Sequence, residues 1–189
     1  IKMSELPSIR SQGDPLTKHV DVKIKTHFSY AYLLSQSASL LIVADDGYGF
    51  VTTVAECLTK NKAGKQVWTQ SDNTTLLAPK AFAEKSLLVL VTKQGRMLVM
   101  DAKDIPLLKK GKGQKLVGIN AKEHADSQDG LRAFALCNAE DKVVLCAGKR
   151  TYQLKPAQWQ LYSNKRATRG KFLPQGFRNI SAIEVVDGK

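Results

Sequence analysis

Three segments of the chain share one pattern of apolar and polar positions. "SLLIVADDGYGFVTTV" (39–54), "SLLVLVTKQGRMLVMDA" (86–102) and "KVVLCAGKRTYQLKP" (142–156) each read as an apolar run, a polar turn containing glycine, and a second apolar run. Short runs rich in Val, Ile, Leu and aromatics, bounded by turn-forming residues, are the mark of β-strands, and two joined through a tight turn make a hairpin. The turn glycines Gly47, Gly95 and Gly148 recur about every 50 residues, a period at which propellers and other bladed arrays occur. Between the hairpins lie further apolar runs: "HVDVKI" (19–24), "YAYLL" (30–34), "KQVWTQ" (65–70), "TTLLAP" (74–79), "KLVGI" (115–119) and "LRAFALC" (131–137). Each is expected to be a strand.

Four strands per repeat make a blade. A four-stranded blade cannot bury both faces by itself, so neighbours must stack and share a core. The unbroken apolar runs "LLIVA" and "LLVLV" fit central strands covered on both sides. Helix is scarce; "AECLTKNK" (55–62) and "PAQWQLYS" (156–163) have room for a turn or two after a hairpin. The pattern therefore predicts an all-β, propeller-like array.

A second marker runs in phase with the hairpins. Basic boxes containing glycine follow at "KNKAGKQV" (60–67), "KKGKGQKL" (109–116) and "RATRGKFL" (166–173), and "PSIRSQGDPL" (7–16) stands at the same phase ahead of the first hairpin. Gly13, Gly64, Gly113 and Gly170 mark the four. Boxes repeating once per blade would fall on one edge and make a curved positive stripe. The overall charge agrees: 29 Lys and Arg against 17 Asp and Glu, a formal +12, attracts polyanions such as nucleic acid or an anionic membrane surface. No apolar stretch is long enough to span a bilayer.

Several chemistries find no support. A nucleotide phosphate loop needs Ser or Thr after its lysine, where this chain offers Gln66, Gly113, Arg150 and Phe172. "DGYGFVTT" (46–53) has the look of an RNA-recognition strand but carries Asp46 where a basic residue belongs and Thr53 where an aromatic belongs. Cys57, Cys137 and Cys146 form no C-x-x-C pair and suit a reducing cytoplasm, and His19, His27 and His124 stand apart, so no metal site is expected. No nucleophile, base and orienting group appear together, and catalytic residues are expected to be none. The chain begins with Ile1 and is expected to be a piece of a longer polypeptide.

Taken together, "DDGYGFVTTVAECLTKNKAGKQV", "TKQGRMLVMDAKDIPLLKKGKGQKLVGI", "DGLRAFAL", "AGKRTYQLKP" and "RATRGKFLPQGFRNISAIEV" closely resemble the family of C-terminal domains of bacterial DNA topoisomerase IV A subunits, and more distantly those of gyrase A subunits. "GYGFV", "GRMLVM", "DIPLLKKGKG" and "LPQGFRNI" are specific as a set and weak singly. The resemblance covers essentially the whole chain. It implies a β-pinwheel, four-stranded antiparallel blades with strand exchange between neighbours, here partial or open, that binds duplex DNA around its outer rim. The approximate blades would be 1–24 (the end of a preceding one), 25–72, 73–120 and 121–189, within a single domain of 1–189. Gyrase A subunits carry a Q-R-R-G-G-K-G box that drives full wrapping; the nearest segments here are degenerate, which favours topoisomerase IV and a bending or substrate-selecting role. The resemblance further implies a parent enzyme, bacterial and cytoplasmic on the chromosome, in which the A subunit forms a homodimer with an ATP-hydrolysing B subunit. Its cleaving tyrosine, Mg2+ and ATP sites would lie outside this chain, which needs no cofactor of its own. Two alternatives stay open: a gyrase-type wrapping domain, and a propeller-like protein-interaction platform whose basic surface is incidental.

The residues expected to meet DNA are Lys60, Lys62 and Lys65 in the first of the three later boxes, Lys109, Lys110, Lys112 and Lys115 in the second, and Lys165, Arg166, Arg169 and Lys171 in the third. Arg96, Lys149 and Arg150 on the hairpin turns are secondary. Tyr30, Tyr32, Tyr48, Tyr152 and Tyr162 receive no catalytic role, and Trp68 and Trp159 are expected to pack.

Overall fold

The computed structural model describes residues 6–21, 28–83 and 87–188. The three anticipated hairpins are present: β1 (Ser39–Val43) with β2 (Tyr48–Thr53), β4 (Leu87–Thr92) with β5 (Arg96–Asp101), and β8 (Lys142–Ala147) with β9 (Arg150–Leu154). Their turn glycines Gly47, Gly95 and Gly148 all take positive φ. Five further strands flank the hairpins: β3 (Lys80–Phe82), β6 (Gln114–Lys115), β7 (Leu131–Cys137), β10 (Lys171–Phe172) and β11 (Ala182–Val186).

The sheets are antiparallel, in the orders β3-β1-β2-β6, β7-β4-β5-β10 and β11-β8-β9. Their strands are drawn from interleaved stretches of chain. β6 follows the second hairpin yet pairs with β2 of the first, Tyr48 opposite Lys115. β10 follows the third hairpin yet pairs with β5 of the second, Phe172 opposite Arg96. The fourth strand of each complete sheet is thus lent by the box that follows the next hairpin. Among the described residues β9 has no such strand on its outer edge.

Alternation along β4 explains the stacking. Leu88 and Leu90 face one core with Leu41, Val43 and Val51 of the first sheet, while Val89 and Val91 face a second core with Val143, Leu145 and Leu154 of the third. β5 divides the same way, with Leu98 and Met100 on one side and Met97 and Val99 on the other. The middle sheet is therefore buried on both faces, the reason "LLVLV" carries no polar position. Trp159 caps the second core, and its indole N–H donates to the Asp141 backbone carbonyl at 3.1 Å.

A helical turn follows each hairpin: α1 (Val54–Cys57), a 3-10 turn over Ala102–Asp104, and α3 (Pro156–Trp159) running into a 3-10 turn over Gln160–Tyr162. The first and last match expectation. The Thr53 hydroxyl accepts the Glu56 N–H at 3.3 Å, and the Asp101 carboxylate accepts the Lys103 N–H at 3.0 Å, so each caps the turn that ends its strand. A further short helix, α2 (Ala121–Ala125), is capped by Asn120 and has no counterpart among the expected elements.

Some expected strands are corrected. "YAYLL" (30–34) has no ladder partner, and Tyr30, Tyr32 and Leu33 are exposed, because no hairpin edge lies beside it among the described residues. "KQVWTQ" (65–70) is reduced to a single parallel bridge between Trp68 and Gly111. In "TTLLAP" (74–79) only Leu76 bridges, to Ala44, because Asp45 holds Thr75 through both its backbone N–H and its carboxylate, each at 2.9 Å; the outer strand forms later, at β3. Residues 22–24 of "HVDVKI" lie outside the described residues, and residues 19–21 follow a 3-10 turn over Leu16–Lys18 without entering a strand. "KLVGI" (115–119) keeps strand pairing only at Lys115, after which Leu116 and Val117 turn into the first core.

Cys137 shows what burial does to a thiol here. Desolvation, reinforced by the nearby Asp141 charge, pushes its pKa up to about 11. At neutral pH it is protonated and a poor nucleophile. Iodoacetamide at pH 7.5 is expected to leave Cys137 unmodified in the folded chain and to label it once urea unfolds the protein, read by peptide mass spectrometry. Native-state labelling at the rate of an ordinary thiol would contradict this.

Candidate nucleic-acid interface

The three later boxes are stitched to one another in series by equivalent backbone hydrogen bonds, and a related bond links the segment after the first box to the second. Two residues before each of the three later box glycines, a carbonyl accepts an N–H from the segment that follows the preceding box. The Asp21 N–H donates to Lys62 O at 2.9 Å, the Thr69 N–H to Gly111 O at 3.0 Å, and the Gly118 N–H to Thr168 O at 2.8 Å. Return bonds close two of the junctions, from the Gly111 N–H to Val67 O and from the Ala167 N–H to Leu116 O. The boxes at 60–67, 109–116 and 166–173 thus lie directly beside one another in turn.

Two of the box glycines have a steric reason. Gly113 and Gly170 take φ of +86° and +74°, where a side chain is disfavoured. A Cβ on Gly113 would meet Gly49 O at 2.4 Å, and one on Gly170 would meet Met97 O at 2.5 Å. Gly49 and Met97 occupy equivalent second positions of β2 and β5, so the same approach recurs in both complete sheets and lays β6 and β10 on their partner edges. Each of these boxes thus ends in the outermost strand of its sheet, and most of its basic residues lie just before that strand.

Those side chains fall into distinct local settings. Lys65 and Lys109, from successive boxes, converge on Glu56, at 3.9 and 3.3 Å from its carboxylate oxygens. Lys112 pairs with Asp46 at 3.0 Å and covers the Tyr48 ring at 4.2 Å, while Lys115 donates to Ile119 O at 2.9 Å, with its Nζ 5.9 Å from the same ring. Arg96 stacks 3.7 Å from the centre of Phe172 and donates to Gly170 O at 3.3 Å. Arg166 donates to Gln114 of the neighbouring box, Arg169 to Glu123, and Lys171 to Leu161 O at 2.6 Å. The side chains of Lys60, Lys62, Lys110, Lys149 and Lys165 are exposed and have no ion-pair or hydrogen-bond partner among the described residues. Lys149 and Arg150 sit on the third hairpin turn, outside the stitched series, with Arg150 lying 5.6 Å from the Phe177 ring, itself stacked on Tyr152.

Sequence reasoning missed three participants. Glu56 and Glu123 hold box cations, and nothing in their sequence neighbourhood distinguishes them from other surface acids. Arg178 approaches Phe172 from a third segment, at 4.7 Å, and only the motif "LPQGFRNI" hinted at it. Among the described residues no group of three or more His, Cys, Asp or Glu is placed to hold a metal ion, and no helix is long and apolar enough to cross a membrane.

No protein-family model matches the chain. It is 34% identical over 183 residues to the DNA topoisomerase 4 A subunit of Haemophilus influenzae and 36% identical over 182 residues to that of Pseudomonas aeruginosa, alignments covering 96% and 95% of the chain. The chain spans about a quarter of the length of these relatives, 24% of each. The solved structure of the E. coli ParC C-terminal domain superposes with a TM-score of 0.88 at 32% identity, covering 96% of this chain and 74% of that one. The DNA gyrase A C-terminal domain, at 13% identity and a TM-score of 0.61 over 82% of this chain and 50% of that one, shares the fold alone. The interleaved antiparallel sheets are thus those of a β-pinwheel, as the sequence implied. With that fold, and with a third of its residues matched over nearly its whole length, the chain belongs to the family of C-terminal domains of DNA topoisomerase IV A subunits.

Proposed function

We propose that this domain binds duplex DNA along its row of basic boxes and bends it, setting which DNA its parent enzyme acts on. The observation that carries the proposal is the series of hydrogen bonds from Thr69, Gly111, Gly118 and Ala167, which sets the three basic boxes at 60–67, 109–116 and 166–173 side by side. Lys and Arg along such a row neutralise successive phosphates and release counterions, giving affinity with little dependence on sequence. A duplex held at several points along a curved edge must bend, at a cost that depends on its flexibility. The degenerate boxes favour bending over the full wrapping of a gyrase-type domain.

In the parent enzyme this activity would serve ATP-dependent supercoil relaxation and decatenation during chromosome segregation in the bacterial cytoplasm. The remainder of its own polypeptide, the homodimeric partner and the ATPase B subunit would supply strand cleavage, Mg2+ and ATP sites. This chain's own contribution is to bind and orient the duplex.

Fluorescence anisotropy with a mixed-sequence duplex tests the proposal. Log K should fall steeply and linearly with log salt, and replacing Lys109, Lys110 and Lys112 together with alanine should make that slope shallower by about two to three. The loss should be uniform across DNA sequences. A flat salt dependence would instead favour the protein-interaction platform, and a sequence-selective loss would refute contact through phosphates alone.

A further inference from the structure

Two carboxylates lie against basic side chains of the box row. Glu56, on α1, is shared between two boxes: Oε1 lies 3.3 Å from Lys109 Nζ and Oε2 lies 3.9 Å from Lys65 Nζ. Lys65 also donates to the Glu56 backbone carbonyl, so its ammonium is held at this junction. Glu123, on α2, accepts from the Arg169 guanidinium of the next box. Its helix is fixed from behind, since the Glu123 carbonyl accepts the N–H groups of Gln128 and Asp129 at 2.7 and 3.1 Å. The two acids come from different helical turns, yet each reaches into a box.

Fold stability does not account for them. Both carboxylates are about a third exposed, at 34% and 28%, and Lys109 is 82% exposed. Ion pairs in such settings contribute little to stability. Asp46 offers the contrast: its side chain is only 11% exposed, it pairs with Lys112, and it also accepts the Tyr48 N–H, so it belongs to the hairpin turn as much as to the box. Glu56 and Glu123 have no such second task for their carboxylates. Carboxylate and phosphate oxygens make the same charge-assisted contacts to lysine and arginine. A phosphate arriving at these cations must displace the resident carboxylate or sit beside it against like-charge repulsion.

We infer that Glu56 and Glu123 are built-in competitors for phosphate, which attenuate duplex binding at the junction of the boxes at 60–67 and 109–116 and at the box at 166–173. This rests on the DNA-binding function proposed above and deepens it. Attenuation keeps the domain from being titrated by ordinary relaxed duplex and leaves the boxes responsive to DNA presenting a denser array of phosphates.

The test measures duplex affinity against salt for the wild-type chain, Glu56→Gln, Glu123→Gln and the double variant. Glu140→Gln, an exposed acid outside the boxes, controls for the change in net charge. Each box variant is expected to tighten binding about three- to fivefold at moderate salt and to steepen the salt slope by about one, with the double variant combining both effects. Glu140→Gln is expected to change affinity less than twofold. In a Lys65→Ala, Lys109→Ala background, Glu56→Gln should give no more than the control does, because the competition needs those lysines. Equality of Glu56→Gln with Glu140→Gln, or a full gain that persists without the two lysines, would overturn the inference. A wild-type chain with no salt-dependent duplex binding would instead defeat the underlying function. Glutamine leaves the Thr53 cap on the residue 56 backbone intact, and unchanged melting of each variant verifies that the fold is preserved.

Discussion

Trp159→Ala is expected to destabilise the domain by about 3–5 kcal/mol. Trp159 is only 2% exposed and is the largest fully buried side chain among the described residues. It packs with Leu154, Leu173, Val143 and Ile180 between the middle and third sheets. Truncation removes that burial and leaves a cavity whose rigid β walls cannot close around it. It also strands the Asp141 carbonyl, which accepts the indole N–H, beside an Asp141 carboxylate already committed to the Asn138 N–H at 2.8 Å. Because Leu173 directly follows β10 and shares this core, the third box should loosen as well. Urea unfolding monitored by circular dichroism should show a lower midpoint with an unchanged slope. Trp159→Phe should recover a large part of the loss. A penalty below about 1 kcal/mol would mean that the second core closes without this residue.

Gly170→Ala is expected to be nearly as damaging, at about 3 kcal/mol, and to weaken duplex binding too. The positive φ disfavours any Cβ, and this one would stand 2.5 Å from Met97 O and 2.8 Å from Met97 C. Met97 cannot retreat, because it is paired with Val91 in the middle of the doubly covered sheet. The strand that must yield is β10, and with it the register of Arg169 and Lys171. Gly64→Ala separates strain from collision: its φ is +83°, but nothing lies within 4 Å of the added carbon, so only the backbone penalty of about 1 kcal/mol applies. Parallel urea titrations and anisotropy on the two variants check this ordering. Equal losses would show that the close approach to Met97 does not set the cost.

The hairpins were legible because each combines two signals that survive without context, apolar alternation or continuity and a glycine at the turn. The boxes were legible through their phase. The outer strands were less so. "YAYLL" has strand composition but no edge beside it, whereas β3 is "KAF", too short to carry a pattern and defined only by β1. Strand propensity describes a side chain's fit to a pleated surface, and the partner edge decides the rest. The same limit applies at the interface. The positions of Lys65 and Lys109 could be read in one dimension, but their convergence on Glu56 depends on boxes distant in sequence being hydrogen-bonded side by side. The stack of Arg96 and Arg178 on Phe172 likewise joins three segments, and composition alone gives no sign of it.

The lending of β6 and β10 to earlier hairpins also governs how the chain can fold. The first sheet lacks its fourth strand until residues 114–115 are in place, by which point the whole second hairpin has been made. The second sheet waits in the same way for residues 171–172, beyond the third hairpin. Closing such long loops is entropically costly and slow, so early intermediates hold open strand edges. Once β6 and β10 dock, no blade can leave without taking a strand from its neighbour. A linear repeat array of self-contained units can fray from its ends one unit at a time; this one is interlaced, and its blades are bound to melt together.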